Sequence, residues 1–272
     1  MNTIHKIAKT TVGLVVLNEK THKMSPLNFQ DELEHTKDYA LEIGKLASKG
    51  AKLIVLPERA INVSKETDSA TVAILGSCAR QYHVGIVAGY TNFKNEPAHN
   101  SSLVIDEQGN GLMDYDKIHL VTGLETQFVP GNKLGLFQFG NVQTGTAICK
   151  DLDFPEYIKQ YGTNKVVFLC IPAWDFVVDD WLHARMAILR GVENGLSEVR
   201  TARLGRLTIS DQYGRVNAEV NCSDGKTTAL TGQISLYRID TFYTLHGDWF
   251  GFTNLVAAIA FLLVIIIKRE KK

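Results

Sequence analysis

Val142-Gln-Thr-Gly-Thr-Ala-Ile-Cys149, running into Lys150-Asp-Leu-Asp-Phe-Pro155, is the stretch around which the chain is organised. Small and apolar residues lead up to the cysteine, and acidic residues and a proline follow it. The pattern predicts a strand that ends in a sharp turn at Cys149, with a helix starting near Pro155, because proline suits the first helical position. A thiol at such a turn is open to a substrate and close to a helix N-terminus, which favours its thiolate. Taken alone, the same cysteine also reads as a small buried hydrophobe.

Working outward, apolar runs alternate with amphipathic ones. On the N-terminal side, residues 11–17, 51–57 and 84–89 read as buried strands. Residues 28–48 and 68–82 read as helices between them, the first ended by Gly50. Residues 100–106 and 111–116 form a hairpin pattern about Gln108-Gly109-Asn110. On the C-terminal side, strands are expected at 136–139, at 165–171 ending at Pro172, at 198–202 and at 207–210, with two more to about Ile234. Helices are expected from Pro155 to Tyr161 and from Trp181 to Asn194. This alternation, with added hairpins, argues an α/β domain of layered sheets.

At 272 residues the chain accommodates one large domain and a small appendage. A hydrophobic fraction of 45% with 21% charged residues suits a packed core rather than disorder. The formal net charge of +0 offers no basic surface, so nothing points to nucleic acid or another polyanion. The four cysteines, Cys78, Cys149, Cys170 and Cys222, are far apart, which implies neither a disulfide framework nor a zinc site. Met1 to Thr11 is polar and basic and lacks the apolar run of a signal peptide.

The C-terminus departs from the globular pattern. Phe250 to Ile267 contains no charge and would extend roughly 27 Å as a helix at 1.5 Å per residue, close to a hydrocarbon core. Trp249 and Phe250 stand at one end as interfacial aromatics, and Lys268-Arg-Glu-Lys-Lys272 closes the other. The expectation is a division into a domain over residues 1–246 and a single transmembrane helix with a basic tail over 247–272. The basic tail predicts a cytoplasmic C-terminus and hence a domain on the outer side of the cell membrane.

Three side chains at strand ends form a chemical set: Glu58 in Leu56-Pro-Glu58, Lys117 in Tyr115-Asp-Lys-Ile-His-Leu120, and Cys149. Singly, the first two also read as solvated surface charges. Together they supply what acyl chemistry needs. A cysteine nucleophile needs a base, and a carboxylate serves if burial brings its pKa towards neutrality. The tetrahedral intermediate needs a positive charge or N–H donors for its oxyanion. Lys117 supplies the charge, and the backbone N–H after Cys149 a candidate donor.

In this order and context, Leu-Ile-Val-Leu-Pro-Glu58, Tyr-Asp-Lys-Ile-His-Leu120 and Cys-Lys-Asp-Leu-Asp-Phe-Pro155 resemble the three motifs of the nitrilase, or carbon–nitrogen hydrolase, superfamily. The stretches His183 to Gly195 and Asp211 to Arg215 are similar to it as well, so the resemblance covers about Thr11 to Ile234. It implies a four-layer α-β-β-α sandwich, with Glu58 as general base, Lys117 as transition-state stabiliser and Cys149 as thioester-forming nucleophile. It implies a second active-site glutamate at Glu125, and a substrate pocket lined by Trp174 and Asp175. Paired subunits are implied by resemblance too. No metal or organic cofactor is called for, since nucleophile, base and cation are all side chains.

Tyr243-Thr-Leu-His-Gly-Asp-Trp-Phe250 and the apolar run after it resemble the last membrane helix of the superfamily's apolipoprotein N-acyltransferase branch. That likeness implies an acyl chain taken from a phospholipid and passed to the α-amine of a lipoprotein. Arg190-Gly-Val-Glu-Asn-Gly195 is more similar to soluble amidases, and Asp151 stands where the acyltransferases carry glutamate. A membrane-tethered amidase or C–N hydrolase acting on a small amide therefore stays open as the alternative.

Overall fold

The computed structural model of the chain describes residues 8–19 and 28–270. The readings of residues 1–7 and of Lys271 and Lys272 lie outside the described residues. In chain order, the first half is β1 (Lys9–Val16), α1 (Phe29–Ser48), β2 (Leu53–Val55), β3 (Ile61–Ser64), α2 (Asp68–Tyr82), β4 (Gly85–Phe93), β5 (His99–Ile105) and β6 (Gly111–Asp116). The second is β7 (Gly135–Phe139), β8 (Val142–Thr146), α3 (Pro155–Thr163), β9 (Phe168–Trp174), α4 (Asp180–Asn194), β10 (Ser197–Arg203), β11 (Arg206–Ser210), β12 (Val216–Asn221), β13 (Thr228–Ser235), α5 (Phe242–His246) and α6 (Trp249–Glu270).

Local chemistry accounts for the helix ends. Asn28 caps α1 by accepting the Asp31 N–H at 2.9 Å, and Asp31 and Glu32 in the first turn complement the helix dipole. Pro155 opens α3, and Gly195 ends α4 in the left-handed conformation.

One sheet runs β13-β1-β2-β4-β5-β6, with β3 also on β4, and the other runs β12-β11-β10-β9-β8-β7. The parallel neighbours are the strands joined through helices, and the antiparallel ones are hairpins or returns. β13 closes the first sheet by pairing along β1 from Lys9↔Ser235 to Val16↔Thr228.

The sheets face each other across Val12, Leu14, Val55 and Val87 on one side and Phe168, Cys170, Val199 and Ile209 on the other. α1 and α2 cover the outer face of the first sheet through Ile43, Leu46, Leu75 and Ala79. α3 and α4 cover that of the second through Ile158, Tyr161 and Ala187. The expected four-layer α-β-β-α sandwich is present, and each buried branched side chain in it contributes about 1.5–3 kcal/mol of apolar burial.

β3, β9 and the short α5 differ from expectation, α5 forming where no helix was expected. β3 forms where none was read, because four residues after the Glu58 turn suffice to pair with the far end of β4. β9 begins at Phe168 and runs through Pro172 to Trp174 instead of ending at the proline. β8 pairs with β9 only as far as Thr146↔Cys170, so Pro172 lies beyond the last rung on that side. α6 is an additional helix outside the layers. Among the described residues it alone is long and apolar enough to cross a membrane, with a mean hydropathy of 2.6 over Trp249–Arg269 and none of that span buried.

A carboxyl group is sealed between α4 and the second sheet. Glu198 of β10 lies under α4 at Gly191, where an added Cβ would come within 3.1 Å of its Cγ. Both of its oxygens are buried without a hydrogen-bond partner among the described residues. Burial pushes its pKa well above the ordinary value of 4.5, an effect only partly offset by Arg200 and Arg190. The unfolded chain therefore releases this proton at lower pH than the folded one, and Glu198 costs stability as pH rises above about 4.5. Glu198→Gln is expected to match the wild-type Tm at pH 4 and to exceed it by roughly 3 °C at pH 8, about 1 kcal/mol in a chain of this size. Thermal unfolding followed at both pH values checks it.

Candidate active site

Glu58, Lys117 and Cys149 each stand just past the end of a strand, and the two facing sheets bring those ends together. β2 stops at Val55, and the chain turns through Pro57 so that the Glu58 N–H donates to the Ala173 carbonyl of the opposite sheet at 3.3 Å. Gly89 on β4 makes the turn fit, since a Cβ there would lie 2.2 Å from the Pro57 carbonyl oxygen. Lys117 follows β6. Its N–H donates to the Asn100 carbonyl at 2.8 Å, and its own carbonyl accepts from the Gly131 N–H at 2.9 Å. A Cβ on Gly131 would meet the Asp116 oxygen at 2.2 Å, so only glycine allows that crossing.

Cys149 follows β8 and opens a 3-10 turn over Cys149–Asp153. Its φ of 44° places a non-glycine residue in the left-handed region, at a cost of about 1–2 kcal/mol. Asp151 holds the turn. Its carboxylate accepts the Ile148 N–H at 2.9 Å, the His119 N–H at 2.8 Å and the Tyr115 hydroxyl at 2.6 Å. One buried carboxylate thus ties the cysteine turn to both flanks of Lys117. Tyr115, Tyr157 and Tyr161 continue the network in contacts of 2.8 and 2.9 Å, ending where the Tyr161 hydroxyl donates to the Thr146 carbonyl at 2.8 Å.

The Lys117 ammonium lies between two carboxylates, 2.7 Å from Glu58 Oε1 and 2.9 Å from Glu125 Oε2. The Asn100 amide donates to both, at 2.6 Å to Glu58 and 2.7 Å to Glu125. Glu125 also accepts the Val121 N–H at 2.7 Å, which fixes its loop. All of these side chains are buried. Burial alone would lower the lysine, but the Glu58 and Glu125 carboxylates more than offset it and hold the ammonium protonated.

The thiol departs from expectation. Burial, then the neighbouring Glu58 carboxylate, push Cys149 well above the usual thiol range, and Lys117 and Arg200 offset only part of this. The turn is a five-residue 3-10 segment rather than the start of a long helix, so its dipole gives little help. The resting sulfur is a thiol, donating to the Trp174 carbonyl at 3.6 Å, and it needs a base to become a nucleophile.

These groups form the floor of a cavity of about 350 Å³. Val121, Leu152, Trp174 and Met186 give it apolar walls, and the exposed Leu124 and Phe176 stand at its mouth. Trp174 lines this cavity. Asp175 does not line it but sits behind the wall, where Arg200 donates to it at 2.9 Å and His183 Nδ1 lies 3.3 Å away. Burial works against the Asp175 carboxylate, but these two partners keep its pKa below the usual range. Its hydrogen bond in turn raises the His183 imidazole above 6.5.

Asn100, Arg59, His183 and Arg200 went unidentified as site residues in the sequence. Asn100 and Arg200 lie within strands, and the only signal available was a polar side chain in an otherwise buried run. Arg59, directly after Glu58, also has a left-handed φ, of 52°, and its guanidinium lies 5.4 Å from the Trp174 ring centroid. Among the described residues, no group of three or more His, Cys, Asp or Glu side chains is arranged to hold a metal ion.

Removing the shared ammonium leaves two buried carboxylates facing one another. Lys117→Met is expected to cost about 3–5 kcal/mol in urea unfolding. Adding Glu125→Gln to that variant should restore part of the loss, giving a coupling energy of opposite sign. Equal stability of Lys117→Met and wild type would contradict the electrostatic account of this floor.

The model of the carbon–nitrogen hydrolase family matches residues 12–240. The 2-oxoglutaramate amidase of Bacillus subtilis (strain 168) is 28% identical over 201 residues, covering 65% of this chain and 77% of that protein. The apolipoprotein N-acyltransferase of Geobacter metallireducens is 25% identical over 246 residues, covering 79% of this chain, which spans only 47% of that protein's length. A solved amidase from Nesterenkonia sp. AN1, bearing the acetamide moiety of fluoroacetamide on its active site cysteine, superposes with a TM-score of 0.71 at 18% identity, over 90% of this chain and 97% of that one. With the family's fold around a Glu–Lys–Cys floor, this chain belongs to the carbon–nitrogen hydrolase family of the nitrilase superfamily.

Proposed function

We propose that the chain is a membrane-anchored acyl-transfer enzyme, in which Cys149 accepts an acyl group from a lipid ester as a thioester and passes it to an amine. The observation that carries this reading is the buried Glu58–Lys117–Glu125–Cys149 floor beneath apolar walls. α6, long and apolar enough to cross a bilayer, supplies the reason for a lipid donor. Residues 1–246 then form the catalytic part and residues 247–272 the anchor, with the site on the outer face of the cell membrane.

In the first half-reaction, Glu58 takes the Cys149 proton as sulfur attacks the acyl carbonyl. The oxyanion forms against the Lys117 ammonium, a charge already fixed in a water-poor pocket, where such donors act most strongly. Collapse of the tetrahedral intermediate breaks the ester C–O bond, and Glu58 returns the proton to the departing alcohol. In the second half, an amine attacks the thioester carbonyl and Glu58 receives its proton. The regenerated thiolate is reprotonated, and the product amide leaves. Glu125 keeps Lys117 in place and balances its charge throughout. The acceptor of this reading is an α-amine of the diacylglyceryl-cysteine type carried by a lipoprotein, and a paired subunit is compatible with it.

A second reading is favoured by one specific finding. Solved structures of the Nesterenkonia sp. amidase match this fold over 96–99% of that protein's length, so the body of the chain has the extent of an amidase. Incubation of the full chain with radiolabelled phospholipid is expected to leave a hydroxylamine-labile acyl adduct on Cys149, absent from Cys149→Ala. Release of ammonia from small amides without any lipid adduct would replace acyl transfer by the amidase reading.

A further inference from the structure

We infer that the segment from Phe176 to Leu182, at the mouth of the Cys149 cavity, is a membrane-docking lip that rests in the interfacial layer of a phospholipid bilayer. The inference rests on the reading of α6 as a membrane anchor, and it specifies which face of the catalytic body meets the lipid.

The segment joins β9 to α4, and it is apolar where it has no partner to cover it. Phe176, Val177, Val178, Trp181 and Leu182 are all exposed, with Val178 90% accessible. Leu124 flanks them across the mouth, 61% accessible and lining the same cavity as Phe176. A contiguous apolar patch of this kind on a folded surface marks an interaction site. Its composition suits an interface rather than a protein core. Trp181 carries the Arg185 guanidinium 5.4 Å from its ring centroid, an aromatic and cation pairing suited to headgroup depth. Asp180 is turned inward to Arg206 at 3.3 Å, which leaves Asp179 as the exposed acid of the segment. One carboxylate at the surface limits the lip to the headgroup boundary and argues against deeper insertion.

The placement of α6 decides the occupant. Its root at Gly247 lies against α3, where an added Cβ would come within 3.0 Å of Lys159 Nζ and 3.3 Å of Glu156 Oε1. α3 begins at Pro155, two residues after Asp153, which lines the cavity. The anchor therefore leaves the body on the same α3–α4 layer that carries the lip. A helix rooted there brings the cavity mouth down to the bilayer that holds it. An acyl chain then passes from lipid to sulfur without crossing water.

The test places a spin label at one site at a time in the full chain, in a Cys149→Ala background and in phosphatidylcholine–phosphatidylglycerol nanodiscs. The other three cysteines are buried, so labelling is site-specific. Val178→Cys should collide with dissolved oxygen more often than with a water-soluble nickel chelate. Leu41→Cys, exposed on α1 in the opposite outer layer, should show the reverse, and Ile259→Cys in mid-α6 should be lipid-buried. A water-exposed label at 178 beside a lipid-buried one at 259 overturns the inference. So does a label at 178 hidden from both reagents, which would mean a second copy of the chain covers the lip. A water-exposed label at 259 removes the anchor and the inference with it. Val178→Asp should lower turnover of bilayer-borne phospholipid about tenfold, by forfeiting the burial of one valine, and leave Cys149 alkylation by iodoacetamide unchanged. A lipid-buried label at 178 with no acyl adduct on wild-type Cys149 would leave the docking face standing and refute the acyl-transfer chemistry instead.

Discussion

The structure depends on one ammonium shared by two carboxylates in a place with little water. Lys117 bridges Glu58 and Glu125, and Asn100 donates to both acids from below. Such a cluster survives burial only when every charge has its partner in good geometry. That condition accounts for much around it. The strand ends must meet across two sheets, glycines must stand at 89 and 131, and the Glu125 loop must be fastened through Val121. It also divides the labour. In the proposed reaction, the ammonium is the fixed charge that meets the oxyanion, and the carboxylate beside the sulfur is the proton acceptor.

Electrostatics and hydrophobic packing meet at the Asp151 carboxylate. It binds the N–H groups of Ile148 and His119, so the loop bearing Lys117 and the turn bearing Cys149 move as one body. The tyrosine series behind it carries this restraint to the end of β8. On the far wall, Asp175 does the same for His183 and Arg200. The cavity is thus framed by two inner carboxylates that support its lining from behind.

Much of this was legible in the sequence, for identifiable reasons. Central strands of a sandwich bury both faces and read as unbroken apolar runs, so residues 11–17 and 84–89 declared themselves. Glu58 and Cys149 stood out because each follows such a run, where a charge or a thiol has no packing role, and Lys117 stood out through its local context Tyr115-Asp-Lys-Ile-His-Leu120. Asn100 and Arg200 stayed hidden because they interrupt strands from within, and only adjacency of β5 and β10 to the site shows their purpose. Pro172 misled because proline normally ends a strand, and the departure of a neighbouring strand is invisible locally. The thiol was misjudged because ionisation depends on burial and on Glu58, neither of which a turn pattern reports.

The left-handed backbone at Cys149 has a consequence for how such a protein evolves. A residue with a side chain is held there against its own preference, and glycine would relieve the strain. Substitution for stability alone would therefore favour a residue with no sulfur at that position. On the proposed chemistry, the sulfur at this turn is held against the preference of its own backbone, and directed thermostabilisation of this scaffold would have to hold residue 149 fixed by decree.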